Sequence, residues 1–382
     1  MRFRIVILAV AFASLAVVRP PADSPRYRLT LLPVPNGCDS YSFFPHGLSG
    51  AGSRAIVGIL ECEGSSSYQA VVWRGEEVFD LDALGGPGSY ALGISRDGAT
   101  VVGLADTAEL LPDGSYLSRP VVWTARQPTD LGTLGGSIGA ATDVSGGQEA
   151  ITGTCQAGDM DPRIGREPVR ACLWTGGSVV DLGDLGGPEA VAYDRSAQGW
   201  VVGWSNTAEP APLGNGYRWV GFLHDGSQMA SLGTLGGGWS EAWSVNASGS
   251  VVGVSETNVL GPFGRLETHG FLWERGEIRD LGKLAGGYSQ AWAINDQGEI
   301  VGASHSVDPA GRTRVVAALW NGGSIVNLNE LVDDLGDWRL TRATAIDNAG
   351  RILVQAERIG AARVAVLEPR TEVRRQGPSV RP

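Results

Sequence analysis

A segment reading Asp-Leu-Gly-x-Leu-Gly-Gly, or a close variant, recurs about every fifty residues along almost the whole chain. Its copies start at Asp80, Asp130, Asp181, Ser231, Asp280 and Asn327. Each is followed by a small-residue strand, a Val-Val-Gly strand and an apolar strand ending in tryptophan. Repetition at that period is what one four-stranded blade of a β-propeller needs, because a blade cannot bury its faces alone and must stack on neighbours.

The Val-Val-Gly marker fixes the number of units. Ile56, Val101, Ile151, Val201, Val251, Ile300 and Ile352 open equivalent strands, so seven units are expected. The tryptophan column agrees through Trp73, Trp123, Trp174, Trp273 and Trp320, with His224 breaking it in one unit and Val364–Leu367 filling the seventh. That seventh unit stops after its third strand, whereas Tyr27–Leu32 is a lone fourth strand at the other end. Adding one to the other closes a ring and leaves no open edge. The expected architecture is therefore all-β: a seven-bladed propeller of four-stranded blades over residues 26–368, closed by an N-terminal strand that completes the last blade. Within the unit, Leu84 and Ala91, Leu134 and Ala141, Leu185 and Ala192, Leu235 and Ala242, and Leu284 and Ala291 keep one spacing. The alanines fit an innermost strand on a crowded axis. Runs such as Asn295–Gly298 and Asn246–Gly249 read as tight turns with glycine at positive φ.

Composition and charge bound the function. With 56 glycines and 12 tryptophans the chain is too glycine-rich and helix-poor for an α/β enzyme. A formal net charge of −11 argues against nucleic-acid phosphate as a partner. Residues 1–22 read as a secretory signal, with Arg2 and Arg4 before an apolar run from Ile5 to Val18 that is short for a membrane span. After its removal no membrane span is expected, and the destination is secreted or periplasmic. Residues 369–382, with Arg370, Arg374, Arg375 and Arg381, read as a flexible tail. An oxidising destination suits the four cysteines. Cys155 with Cys172, and Cys38 with Cys62, are expected as disulfides from their places on adjacent strands. A zinc site is not supported, since neither a CxxC pair nor clustered histidines accompany them; the tight acidic turns lack EF-hand spacing. No metal or cofactor is expected.

Taken together, Tyr27-Arg28-Leu29-Thr30, the Asp130–Gly136 segment, Ala293-Ile294-Asn295 and His269-Gly270-Phe271-Leu272-Trp273 resemble the HAF family of probable extracellular repeats, over about residues 27 to 368. That resemblance implies a bacterial, exported, propeller-like β protein and carries no agreed activity. The chain departs from the pattern at His224, at the cysteine-bearing units and in its long connections between the second and third strands.

No Gly-x-Ser-x-Gly elbow, His-Glu-x-x-His pair, Walker loop or dinucleotide fingerprint is present. Catalytic residues are therefore not assigned. His46, His224, His269 and His305 are the candidates for acid–base work, and only His305 is expected on a loop face. The connections Leu104–Arg119, Thr154–Arg170, Ser205–Arg218 and Ser255–Thr268 read as long loops on one face, the natural place for binding residues. Aromatics cluster there, among them Trp204, Tyr217, Trp219, Trp239, Trp243, Tyr288 and Trp292. The expected ligand contacts are Trp204, Trp219, Trp239, Tyr288 and His305, with Trp239 and Tyr288 placed in connections outside the strands. The opposite face, made of tight turns, is expected to offer no cavity wall. The leading reading is an exported, monomeric, non-catalytic scaffold for an extracellular protein or glycan. The alternatives are a propeller hydrolase or lyase with a site at the centre of the loop-rich face, and a purely structural envelope module.

Overall fold

The structure, a computed structural model, describes residues 26–370 apart from 42–46, 51, 66, 145–149, 211–215, 262–263 and 309. The leader, His46 and the arginines at 374, 375 and 381 lie outside the described residues. Seven four-stranded antiparallel sheets form the blades of a propeller. In blade 2, for example, strand a is Gly85–Ile94, b is Thr100–Leu110, c is Tyr116–Thr124 and d is Gln127–Asp130. Blade 7 takes strands a to c from Arg339–Ile346, Ile352–Arg358 and Ala361–Pro369, and its outer strand from Tyr27–Leu31. The register runs from Tyr27 opposite Pro369 to Leu31 opposite Ala365, so the two halves of the split unit join as expected.

Apolar burial lies between blades. Each buried cluster joins two neighbours: Val57 and Val72 of blade 1 meet Ile94, Val101 and Trp123 of blade 2, and Leu353, Val364 and Val366 of blade 7 meet Ile56, Leu60 and Trp73 of blade 1. This arrangement accounts for the tryptophan column. The strand-c indoles donate backward to the connection that leaves the preceding blade: Trp73 Nε1 to Pro33 O at 2.7 Å, Trp123 to Asp82 O at 2.8 Å, Trp174 to Gly132 O at 3.0 Å and Trp320 to Leu281 O at 3.0 Å. The Asp-Leu-Gly segment and the tryptophan are thus two ends of one staple.

The Val-Val-Gly glycine has an equally local cause. Strand a carries a bulge at the same place in six blades, after Ala91, Ala141, Ala192, Ala242, Ala291 and Ala343. The bulge brings a carbonyl of strand a against strand b, so a Cβ at Gly203 would lie 1.8 Å from Val191 O and one at Gly253 1.9 Å from Glu241 O. At these positions only glycine fits without moving the backbone; blade 7, whose strand a has a further shift between Leu340 and Arg342, takes Val354 there. At the far end of strand a the turns are linked around the ring: Val245 N donates to Asp194 Oδ2, Asn246 Nδ2 to Asn295 O, Asn295 Nδ2 to Asp347 O, Arg351 Nη2 to Ser49 O and Gly50 N to Arg96 O.

Both disulfides form. Cys38 lies directly opposite Cys62, with Cα atoms 4.0 Å apart, and ties strands a and b of blade 1. Cys155 and Cys172 are diagonal neighbours on strands b and c of blade 3, with Cα atoms 6.0 Å apart. One expectation needs correction. In blades 2 and 5 the b-to-c connections are mostly strand: b and c run on past the sheet as hairpins, with Leu110 opposite Tyr116 and Leu260 opposite Leu266, whereas in blade 3 strand b ends at Ala157 and c begins at Val169. Polar residues on both sides of a two-stranded ribbon leave no period to read, so these extensions look irregular in sequence. Among the described residues no helix is long and apolar enough to cross a membrane.

Candidate ligand-binding site

Because strand a is innermost, the residue paired with the position after the Val-Val-Gly glycine marks one height around the axis. Those residues are Tyr41, Tyr90, Ala140, Val191, Glu241, Gln290 and Arg342. Blades 3 and 4 use small or apolar side chains there. Blades 5, 6 and 7 place a carboxyl, an amide and an exposed guanidinium in succession.

Around Glu241 the bulge residues gather an aromatic basin. Tyr193, Trp243 and Trp292 are the extra residues of their bulges in blades 4, 5 and 6, and a bulge re-aims the side chain it adds. Trp243 and Trp292 meet edge to face with centroids 5.3 Å apart. Trp243 Nε1 donates to Glu241 Oε2 at 3.0 Å, and the Trp219 side chain of blade 4 hydrogen-bonds to the same carboxyl. Trp219 stacks on Trp239 at 5.8 Å and 25°. Trp204 Nε1 donates to Tyr193 Oη at 3.1 Å. Burial pushes the Glu241 carboxyl above its ordinary value, against the two indole bonds. Burial and the nearby Glu241 likewise raise the Tyr193 phenol. All these rings are half-buried, so the basin is a part-exposed aromatic surface with several indole N–H groups already engaged.

Of the expected contacts, Trp204, Trp219 and Trp239 belong to this basin. Tyr288 and His305 form a second pair, with ring centroids 4.9 Å apart. Burial lowers the His305 imidazole, and pushes the Tyr288 phenol up to about 12 against the opposing effect of Arg342. His305 lies within strand b of blade 6, Ile300–Val307, and Trp239 within strand a of blade 5, Gly236–Val245, so neither sits in a loop as expected. Tyr288 immediately precedes a strand and bridges to Thr268. Tyr193, Glu241 and Gln290 were missed as site residues; for Glu241 and Gln290 the departure from Ala140 and Val191 at equivalent positions was the available signal.

The other two described histidines, His269 and His224, are held by neighbours. His269 bonds Asp280 Oδ2 at 2.7 Å and Glu267 Oε2 at 3.1 Å, and Glu267 also meets Lys283. Its place in strand c is that of Arg119 and Arg170, which pair with Asp130 at 3.0 Å and Asp181 at 3.8 Å. His269 therefore occupies the slot that arginine fills in blades 2 and 3. His224 is 7 % exposed in the tryptophan slot, its imidazole lowered by burial, and Nδ1 accepts from Gly226 N.

The short-turn face also departs from expectation. It holds an axial cavity of about 680 Å³ walled by the strand-a ends and turns of all seven blades. Seven inner strands leave a central hole whatever the length of the turns, so strand ends supply the wall that loops do not. Its carboxyls are largely spent on the ring: Asp194 on Val245 N, Asp296 on Ala247 N, and Asp347 on Ala349 N and Arg351. Among the described residues no group of three or more His, Cys, Asp or Glu is arranged to hold a metal ion.

No family model matches the chain, and no curated protein matches it. Solved structures do. An oligogalacturonate lyase from Vibrio parahaemolyticus aligns with a TM-score of 0.56 at 12 % identity, over 89 % of this chain and 93 % of that one. The β-propeller domain of the Trilobed protease from Pyrococcus furiosus, described as having an open velcro topology, aligns with a TM-score of 0.51 at 10 % identity, over 86 % of this chain and 95 % of that one. At such identities the likeness extends to the fold alone.

Proposed function

We propose that the protein is an exported, monomeric binding scaffold of the HAF extracellular-repeat type that takes a saccharide at the axial mouth on the hairpin-bearing face. One observation carries the reading: half-buried aromatic rings from blades 4, 5 and 6 gather around Glu241, with the Trp243 and Trp219 indoles bonded to its carboxyl and the Trp204 N–H to Tyr193. Such surfaces suit the C–H faces of sugar rings, and a rigid closed ring positions them at little entropic cost. Export rests on the leader-like residues 1–22 and accords with the two disulfides. Net charge of −11 keeps nucleic acid off the list of partners.

A soluble-glycan screen by calorimetry tests it. A ligand is expected whose affinity drops about tenfold or more in Trp219→Ala/Trp239→Ala, while circular dichroism and melting show the ring intact. Absence of binding to every saccharide class, or unchanged affinity in the double variant, would overturn the reading. A second reading, a hydrolase or lyase, is favoured by the proximity of two part-buried titratable groups, Glu241 and Tyr193. Release of new reducing ends from the bound glycan, abolished in Glu241→Gln, is the outcome that would select it. A purely structural envelope role predicts neither binding nor turnover.

A further inference from the structure

The repeat contains its own control for the role of Glu241. In blade 6 the equivalent residue is Gln290, and Trp292 Nε1 donates to Gln290 Oε1 at 3.0 Å, as Trp243 Nε1 donates to Glu241 Oε2 at 3.0 Å. A neutral amide of the same shape therefore fills the same structural task one blade away. A buried carboxyl is costly unless something compensates it. Among the described residues no Lys, Arg or His makes a compensating contact: the bonds to Glu241 come from Trp243 and Trp219, and the titratable neighbour is the Tyr193 phenol. The charge at 241 is thus surplus to the fold. Around it stand indole faces, whose quadrupoles present negative potential, on a chain of net charge −11.

We infer that the basin recognises a saccharide carrying a protonated amine, and that Glu241 is the residue imposing that choice over acetylated and acidic sugars. The inference rests on the saccharide reading above. An ammonium group at the basin meets the Glu241 carboxylate and the exposed faces of the tryptophans together, a combination worth more than either alone when partly desolvated. An N-acetyl group offers neither charge nor a small cation to the rings. A uronate brings a second negative charge to an uncompensated one. The Trp243 and Trp219 indoles hold the carboxyl in place without neutralising it.

The test compares a deacetylated glucosamine oligomer, its N-acetylated counterpart of equal length and an oligogalacturonate by calorimetry at about pH 6, below the pKa of an ordinary amine. The deacetylated oligomer is expected to bind about tenfold or more tightly than the acetylated one, with the oligogalacturonate weakest. Glu241→Gln should bring the first two within about twofold of each other, and Gln290→Glu, which adds a second carboxyl at the equivalent place, should widen the gap. Equal affinity for the first two in the native protein, a preference that survives Glu241→Gln, or tighter binding of the oligogalacturonate would overturn the inference while leaving the saccharide reading standing. Binding of a lysine-rich peptide with no response to any of the three oligomers would overturn both. Gln290→Glu keeps the test decisive if Glu241→Gln folds poorly, since a ligand insensitive to that added charge also refutes the inference.

Discussion

Trp123 of blade 2 and Trp273 of blade 5 occupy the same slot of the repeat, but Trp123 is fully buried and bonded where Trp273 is half-buried. Trp123 Nε1 reaches Asp82 O, whereas Trp273 makes no corresponding bond among the described residues. Trp123→Phe is therefore expected to cost about 1 kcal/mol beyond what Trp273→Phe costs; equal losses in denaturant unfolding would refute the staple. Glu241 supplies a pH-dependent contrast. Its pKa is raised in the folded state, so the folded form holds a proton that the unfolded chain releases, and stability is reduced above the folded pKa and recovers as pH falls through it. Glu241→Gln should melt higher than the native protein at neutral pH, with the difference vanishing in acid. Residue-scale legibility was uneven. The tryptophan column, the glycines and both cysteine pairs were readable because repetition exposes them. Glu241 was not, because its meaning depends on which chain neighbours a bulge turns toward it.

At the scale of elements, the hairpins that extend strands b and c were the largest misreading, and they shape the face to which the proposed site is assigned. Their tips are tied by carboxylates. The Asp161 carboxyl is held at about 2 by its bond from the Arg163 side chain, and Asp308 at about 2 by the backbone N–H of Arg312 with help from Arg314. For a depressed carboxyl the contribution is complete above the unfolded value near 4 and lost as pH falls toward 2. Amide exchange at these two tips should thus remain slow at pH 4 and rise sharply between about pH 4 and 2, ahead of the strands. Simultaneous loss of tips and blades would count against local control. Alternation identified the strands wherever one side faced a neighbouring blade; beyond the blade edge both sides meet water, and the signal ends there.

The whole molecule is seven shared interfaces and no central core, so every blade depends on both neighbours. Ring closure is correspondingly sensitive. Removing residues 27–32 exposes the edge of Ala361–Pro369 and withdraws Tyr27 and Leu32 from their clusters. Such a variant is expected to elute as aggregate and to lose its cooperative melt; a monomer that melts like the intact chain would show closure to be dispensable. Ring closure was legible from the two broken repeats, since a unit split between the termini has one economical completion. The axial cavity was not, because it belongs to the ring and to no segment of it.

The closing strand also imposes an order in time. Tyr27–Leu31 leaves the ribosome before any blade exists, yet its partner is the last strand to be made. Until that partner emerges, blades 1 to 6 can stack while the seventh stays open and the early strand waits unpaired. A chain in that state is still threadable. If it is exported, the ring has reason to snap shut only on the far side of the membrane, where the cysteines can oxidise and the first strand finally meets the last.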